Sequence, residues 1–203
     1  MSISIVVEFQ SKDDNNNNEV LKICNELQLH SKLENGCSYY TLLKNDKNNN
    51  MFVEKWQSTD DVNLHNNSKH FTELVPQLIE SANIIYLKRF KINQEFIKIP
   101  SNNDLYITKN VIRLVVFVEI LDENKFIELA IELSNASNQE DGCLEYNFGK
   151  NEENENEYAF IELWKDDDAL NNHSNSNHCK ALLPKLDQVS TVKSVVKCMQ
   201  FQE

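Results

Sequence analysis

Apolar residues along this chain switch between two spacings, and the switches come in the same order twice. Ser2–Gln10 (SISIVVEFQ) and Val111–Ile120 (VIRLVVFVEI) are rich in β-branched residues and predict strands. Glu19–Leu33 and Glu123–Ser134 follow, with apolar residues three or four apart at Val20, Ile23 and Leu27 and at Phe126, Ala130 and Leu133, the spacing of a helix with one buried face. Gly36 and Gly142 end the connections that follow. Second strands are predicted at Cys37–Leu43 and Cys143–Gly149, and third strands at Met51–Gln57 and Tyr158–Lys165, with an Asn-rich hairpin turn between them. Next comes a short helix, broken at Asn67-Ser68 and at Asn175-Ser176, which are suited to cap a second helix. That second helix carries Phe71, Leu74, Val75 and Leu78 in one stretch and Ala181, Leu182, Leu183 and Leu186 in the other. Pro76 and Pro184 should kink it or stand near its start. Strands at Asn83–Lys91 and Lys193–Gln200 close the pattern. The order βαββαβ is the ferredoxin-like one, so the expected class is α+β.

The residues repeat along with the pattern. Glu54–Leu78 and Glu162–Leu186 align at a constant offset of 108 with 11 identities in 25 positions, among them Glu54/Glu162, Trp56/Trp164, His65/His173, Ser68/Ser176 and His70/His178. A Gly-Cys-x-x-Tyr stands ahead of each window, at Gly36, Cys37 and Tyr40 and at Gly142, Cys143 and Tyr146, with an offset of 106. A repeat of this length is a duplicated small domain rather than a solenoid unit. The expected organisation is a first repeat over 1–91, a linker over 92–110 and a second repeat over 111–203.

A single ferredoxin-like sheet has helices on one face and would leave the other bare, an apolar patch that soluble monomers avoid. Two copies can cover each other sheet to sheet, and the 19-residue linker reaches roughly 60 Å when extended. The expectation is an intramolecular pseudo-dimer, with further association left open.

Composition narrows the class. A net charge of −12 argues against nucleic acid and anionic membranes as partners. The chain holds no run of 18 apolar residues, and its first ten residues, MSISIVVEFQ, read as a strand rather than a signal peptide. Five cysteines without a CxxC or zinc-like spacing fit a reducing compartment, so a cytoplasmic location is expected. A small residue after each turn glycine accounts for Cys37 and Cys143. Ten of the 29 asparagines fall in three tracts, at Asn15–Asn18, Asn48–Asn50 and Asn151–Asn156, where loops are predicted. Only three glycines are present, which excludes a glycine-rich phosphate cradle, and no nucleotide cofactor is indicated.

The stretches GCLEY…AFIELWKDDDALNNHSNSNHCKALLPKL and GCSYY…MFVEKWQSTDDVNLHNNSKHFTELVPQL resemble the antibiotic biosynthesis monooxygenase domain of the dimeric α+β barrel superfamily. The resemblance implies a barrel of two ferredoxin-like units, here supplied by one chain. It also implies oxidation of phenols or quinols by O₂ without metal or flavin, although relatives include heme degraders and isomerases. The heme-degrading pattern needs an Asn on the first strand and a His ten residues after a Trp on the short helix. Here the short helix holds His65 or His173, Val75 and Leu183 lie ten residues on, and neither first strand has an Asn.

Under that resemblance a base must deprotonate the phenol in a dry cavity, and donors must steady the developing oxyanion. Histidine suits the first task, since its unperturbed pKa of about 6.5 lies close to cellular pH. His173 and His65 are therefore the catalytic candidates. Tyr146, Tyr40, Trp164, Trp56, Glu162, Glu54, His178 and His70 are candidates for binding the substrate, a small aromatic or hydrophobic molecule, together with O₂. Each candidate also has a structural explanation: Glu tying strand to helix, Trp and Tyr filling core, His capping or packing. A non-catalytic barrel binding a small hydrophobic ligand is thus the rival expectation, and assembly through the Asn-rich loops a third. No cofactor or metal is expected.

Overall fold

In a computed structural model of the chain, residues 1–13, 15, 17–94 and 111–199 are described. They divide into two compact units, the first covering Met1–Arg89 and the second starting at Phe90.

In unit 1, β1 (Ile3–Ser11) leads to α1 (Asn17–Ser31), β2 (Cys37–Asn45) and β3 (Asn50–Trp56). Two helices follow, α2 (Thr59–Asn66) and α3 (Lys69–Ser81), before β4 (Ala82–Gln94) begins. β3 runs antiparallel between β1 and β2, and α1 lies against α3.

Unit 2 repeats the plan with β5 (Ile112–Ile120), α4 (Glu123–Ser137), β6 (Cys143–Asn151), β7 (Glu157–Trp164), α5 (Asp167–Ser174), α6 (Asn177–Leu186) and β8 (Ser190–Met199). Its sheet order is β8-β5-β7-β6, all antiparallel, and α4 lies against α6. Both halves therefore have the expected ferredoxin-like plan and the chain is α+β. Val118, Phe126, Leu133, Phe148, Phe160 and Trp164 are among the buried residues that join strands to helices in the unit 2 core.

Several features differ from the sequence reading. Asn17 and Asn18, read as loop, open α1. Ile92–Gln94, read as the start of the linker, continue β4, and Phe90, Lys91 and Ile92 pair with Asn151, Lys150 and Gly149 of β6. Gly149 is needed there, because a Cβ on it would come within 2.7 Å of the Lys91 carbonyl oxygen. The remainder of the linker lies outside the described residues. Pro76 and Pro184 stand inside α3 and α6 rather than at their starts. The third strands, β3 and β7, are buried along their whole length, and such strands carry apolar residues on both faces rather than alternating.

Candidate functional site

Strand register assembles the first part of the site. Antiparallel pairing sets Tyr40, Glu54 and Ile5 in one cross-strand row in unit 1, and Tyr146, Glu162 and Leu114 in the matching row of unit 2. Directly opposed residues share a face of the sheet, so the phenol and the carboxyl lie side by side. Each Trp, two residues beyond its Glu, donates its indole N–H to that carboxyl, Trp56 to Glu54 Oε2 at 3.0 Å and Trp164 to Glu162 Oε2 at 2.8 Å. Tyr40 and Tyr146 hydrogen-bond the same carboxyls.

Helix corners bring in the histidines. The Ser68 hydroxyl accepts from the Phe71 N–H at 3.3 Å and the Ser176 hydroxyl from the Cys179 N–H at 3.2 Å, capping α3 and α6. The Ser68 and Ser176 amides each donate at 2.9 Å to the carbonyls of His65 and His173. The chain thus turns between two histidines five residues apart, and both meet one carboxylate. Glu34 Oε1 lies 3.0 Å from His65 Nδ1 and 2.7 Å from His70 Nε2. Glu140 Oε1 lies 2.7 Å from His173 Nδ1 and 2.8 Å from His178 Nε2. With Nδ1–H donating to the carboxylate, Nε2 of His65 and His173 is left as the acceptor nitrogen. His65 and His173 are buried, and their rings lie 4.4 Å from Trp56 and Trp164 respectively.

Glu34 and Glu140 are absent from the sequence candidates, although a signal for them exists. They stand two residues before Gly36 and Gly142, and so share the 106 offset of the Gly-Cys-x-x-Tyr motif. Those glycines have φ of 86° and 98°, and a Cβ would meet the Asp61 side chain at 2.2 Å or Ala169 Cβ at 2.7 Å. Their carbonyls accept from the amides of Gln57 and Lys165 at 2.8 Å. The turn before each glycine therefore sets the glutamate beneath the helix corner.

Burial dominates the electrostatics. It pushes the carboxyls of Glu54 and Glu162 up to about 7, against the Trp and Tyr hydrogen bonds that pull them down. In unit 1 the Arg89 charge also draws Glu54 downward. Burial holds His65 and His173 below the usual histidine range, offset in part by their bonds to Glu34 and Glu140. Tyr40 and Tyr146 are raised well above the usual phenol range, first by burial and then by the adjacent carboxyl, and so stay protonated as donors.

In unit 2 these groups border a cleft of about 250 Å³. Its apolar walls include Leu114, Val116, Phe160, Leu183 and Val195, and its polar groups include Tyr146, Glu162, His173 and Asp187. Trp164 and His178, also sequence candidates, stand outside its lining. Cys179 borders the cleft, with Sγ 3.4 Å from His173 Nε2 and 3.6 Å from Nδ1. Nearly equal distances put the sulfur over the face of the imidazole, in line with neither nitrogen lone pair, so the pair is not a nucleophile–base arrangement. In unit 1 Phe71 stands where unit 2 has Cys179, its ring edge-on to His65 at 4.8 Å. Phe9 stands where unit 2 has Val118, packed on Phe52 at 5.3 Å.

Two donor sets are close enough to hold a metal ion. Glu34, His65 and His70, and His173, His178 and Cys179, each bring one donor atom apiece to within 4.8 Å of one another. The carboxylate-to-imidazole distances of 2.7–3.0 Å are those of shared protons.

A family model described as antibiotic biosynthesis monooxygenase matches residues 2–77 and 117–185. Among solved structures, a protein of Fusobacterium nucleatum subsp. nucleatum provisionally assigned as a monooxygenase is similar with a TM-score of 0.80 and 15% identity, over 99% of this chain and 93% of that one. A protein of Lactobacillus acidophilus with the same provisional assignment follows at a TM-score of 0.76 and 21% identity, over 98% and 92%. An anthrone oxidase-like protein matches at a TM-score of 0.63 and 11% identity, over 100% and 92%. At these identities the likeness is one of fold. No curated protein matches the chain.

Proposed function

The chain belongs to the antibiotic biosynthesis monooxygenase family, and we propose that its second half oxidises a small phenol or quinol with O₂. The observation that carries this reading is the unit 2 cleft, where an acceptor nitrogen of histidine, a phenol and a carboxyl border one apolar space.

Glu140 holds His173 Nδ1–H, so Nε2 is free to take a proton, and burial favours the neutral ring a base requires. Removing the proton of a phenol leaves an electron-rich anion that passes one electron to O₂. Recombination at the ring carbon gives a hydroperoxide, and loss of water leaves a carbonyl. One oxygen atom goes to the substrate and one to water, so the reaction needs no outside electron donor. The apolar walls keep bulk water from the intermediates. Pockets for drug-sized ligands run to about 300–1,000 Å³, so a cleft of about 250 Å³ suits one or two rings.

A second reading rests on a specific observation. The Glu–His–His cluster is the same in both halves, although unit 1 places Phe71 and Phe9 where unit 2 has Cys179 and Val118. A cluster that persists through that change also fits a role in holding the helix corner, with the cleft serving only to bind a ligand. Oxygen uptake by chelator-treated protein with one- and two-ring hydroquinones and naphthols separates the two. His173→Ala should lower turnover by about 10²–10⁴-fold, the usual contribution of a general base, with His65→Ala and the double variant run alongside. A loss confined to His173→Ala assigns the work to unit 2. Uptake no higher than the autoxidation blank, or untouched by either variant, leaves the ligand-binding reading.

A further inference from the structure

The unit 2 cleft is one-sided in its charge. Among the described residues its lining contains Glu162 deep in the wall and Asp187 at the exposed edge, and no lysine or arginine. Its other polar groups are Tyr146, His173, Cys179 and hydroxyls of serine. A ligand carrying a carboxylate or phosphate would give up water there without meeting a cation, a loss that burial makes severe. A ring bearing a hydroxyl keeps its partners, since it needs an acceptor and an apolar wall.

Geometry singles out one acceptor. Glu162 is 3% exposed, borders the cleft, and sits in the cross-strand row with Tyr146 and Leu114. The Trp164 indole N–H fixes its Oε2 at 2.8 Å. A carboxylate has about four lone-pair sites, so bonds from Trp164 and Tyr146 leave acceptor capacity. Its twin Glu54 makes the same bond to Trp56, but Arg89 acts on it electrostatically, and Phe71 against His65 and Phe9 against Phe52 stand where unit 2 has smaller residues.

We propose that the unit 2 cleft selects an uncharged, hydroxyl-bearing aromatic over an anionic one, and that Glu162 accepts the hydrogen of that hydroxyl. This rests on reading the cleft as the phenol site and narrows its substrate class. It makes Glu162 a substrate-binding group beside the base His173: a quinol bonds Glu162 through one hydroxyl and gives the proton of the other to His173, whereas 1-naphthol, with a single hydroxyl, reports on the Glu162 bond alone.

Among the described residues the groups facing Glu162 are Tyr146 from β6, Trp164 on its own strand, His173 from α5, Cys179 from α6, and Glu140 from the loop after α4. None is a lysine or arginine. Burial brings the Glu162 carboxyl to about 7, so acceptor strength is gained as pH rises through neutrality.

The test is calorimetric binding of 1-naphthol, 1-naphthoate and naphthalene to the full chain. At pH 8 the wild type should bind 1-naphthol at least tenfold more tightly than either of the others. Glu162→Gln should shrink the naphthol-to-naphthoate ratio at least tenfold, because the charge that repels the carboxylate is gone while the side-chain shape is kept. In the wild type, naphthol affinity should rise between pH 5.5 and 8 while naphthalene affinity stays level, a comparison that stands even if the variant does not fold. Naphthoate binding as tightly as naphthol, a ratio unmoved in Glu162→Gln, or no binding of any of the three overturns the proposal. Selective naphthol binding without oxygen uptake would leave the proposal standing and remove the oxygenase reading.

Discussion

Two buried carboxyls, bonded among the described residues by Trp and Tyr rather than by lysine or arginine, tie this protein's stability to pH. Glu54 and Glu162 are raised to about 7 in the folded chain, against about 4.3 in an unfolded one. A carboxyl raised on folding binds its proton more tightly in the native state, so its contribution to stability is full at acid pH. That contribution is lost as pH rises from about 4.5 through about 7. Glu54→Gln and Glu162→Gln keep an oxygen for the indole N–H but carry no charge. Each should therefore gain stability over the wild type as pH rises, by up to about 3 kcal/mol at pH 8. The histidines act in the opposite sense. His65 and His173 are lowered by burial, so their contribution is present above about pH 6.5 and is lost as pH falls below it. Urea titrations at pH 5, 6.5 and 8 isolate the carboxyl effect as a difference between variant and wild type. A Glu162→Gln advantage no larger at pH 8 than at pH 5 would show that the carboxyl does not titrate in this window.

The corner between the two short helices is the device that gathers the chemistry, and it depends on few residues. Ser176 caps α6 and its amide holds the His173 carbonyl, so Ser176→Ala should lower stability by about 1 kcal/mol, the usual value of an N-cap. Gly142→Ala should cost more. It forces φ of 98° on a residue with a side chain and sets its Cβ 2.7 Å from Ala169 Cβ. Gly142→Ala combined with Ala169→Gly should recover only the part due to the clash and leave the φ strain. Full recovery, measured by chemical denaturation, would show that the backbone conformation is not the constraint. The hairpin asparagines have a local explanation of the same kind. Asn45 Oδ1 accepts from the amides of Lys47 and Asn49, Asn151 Oδ1 accepts from the Glu153 amide, and Asn48 takes a φ of 64°. Turn chemistry accounts for these residues without an assembly role.

For the molecule as a whole, the duplication is the governing fact. The family model matches the chain twice, so both copies of the domain are present in every polypeptide. Sedimentation velocity should then give a species with the mass of one chain, unchanged over a hundredfold range of concentration. A two-chain species would show that the chains associate further. Among the described residues no helix is long and apolar enough to cross a membrane. The duplication also supplies an internal control. Groups shared by both halves, such as the Glu–His–His cluster, are explained by the fold whatever else they do. Groups confined to one half, such as Cys179 and Val118 against Phe71 and Phe9, mark where the halves differ in the space they leave.

Much of this was legible in the chain. β-Branched runs, helical spacing and the turn residues between them predicted the strands and helices in order, because residues that suit an extended or a helical backbone, and the burial of one helix face, leave their mark locally in the sequence. The 108 and 106 offsets marked the duplication, and the alternation of Phe160, Glu162 and Trp164 placed them on one face, since side chains in a strand alternate by covalent geometry. The burial of His65 and His173 was not legible, nor was their pairing with Glu34 and Glu140, which lie 31 and 33 residues away in sequence. Such pairings depend on how a helix corner settles over a turn. Which face of the third strand borders the unit 2 cleft was equally hidden, because β7 is apolar on both faces and periodicity cannot rank two buried sides. Local spacing is written residue by residue, whereas a cleft is the space left between elements, and only their packing decides its walls and its charge.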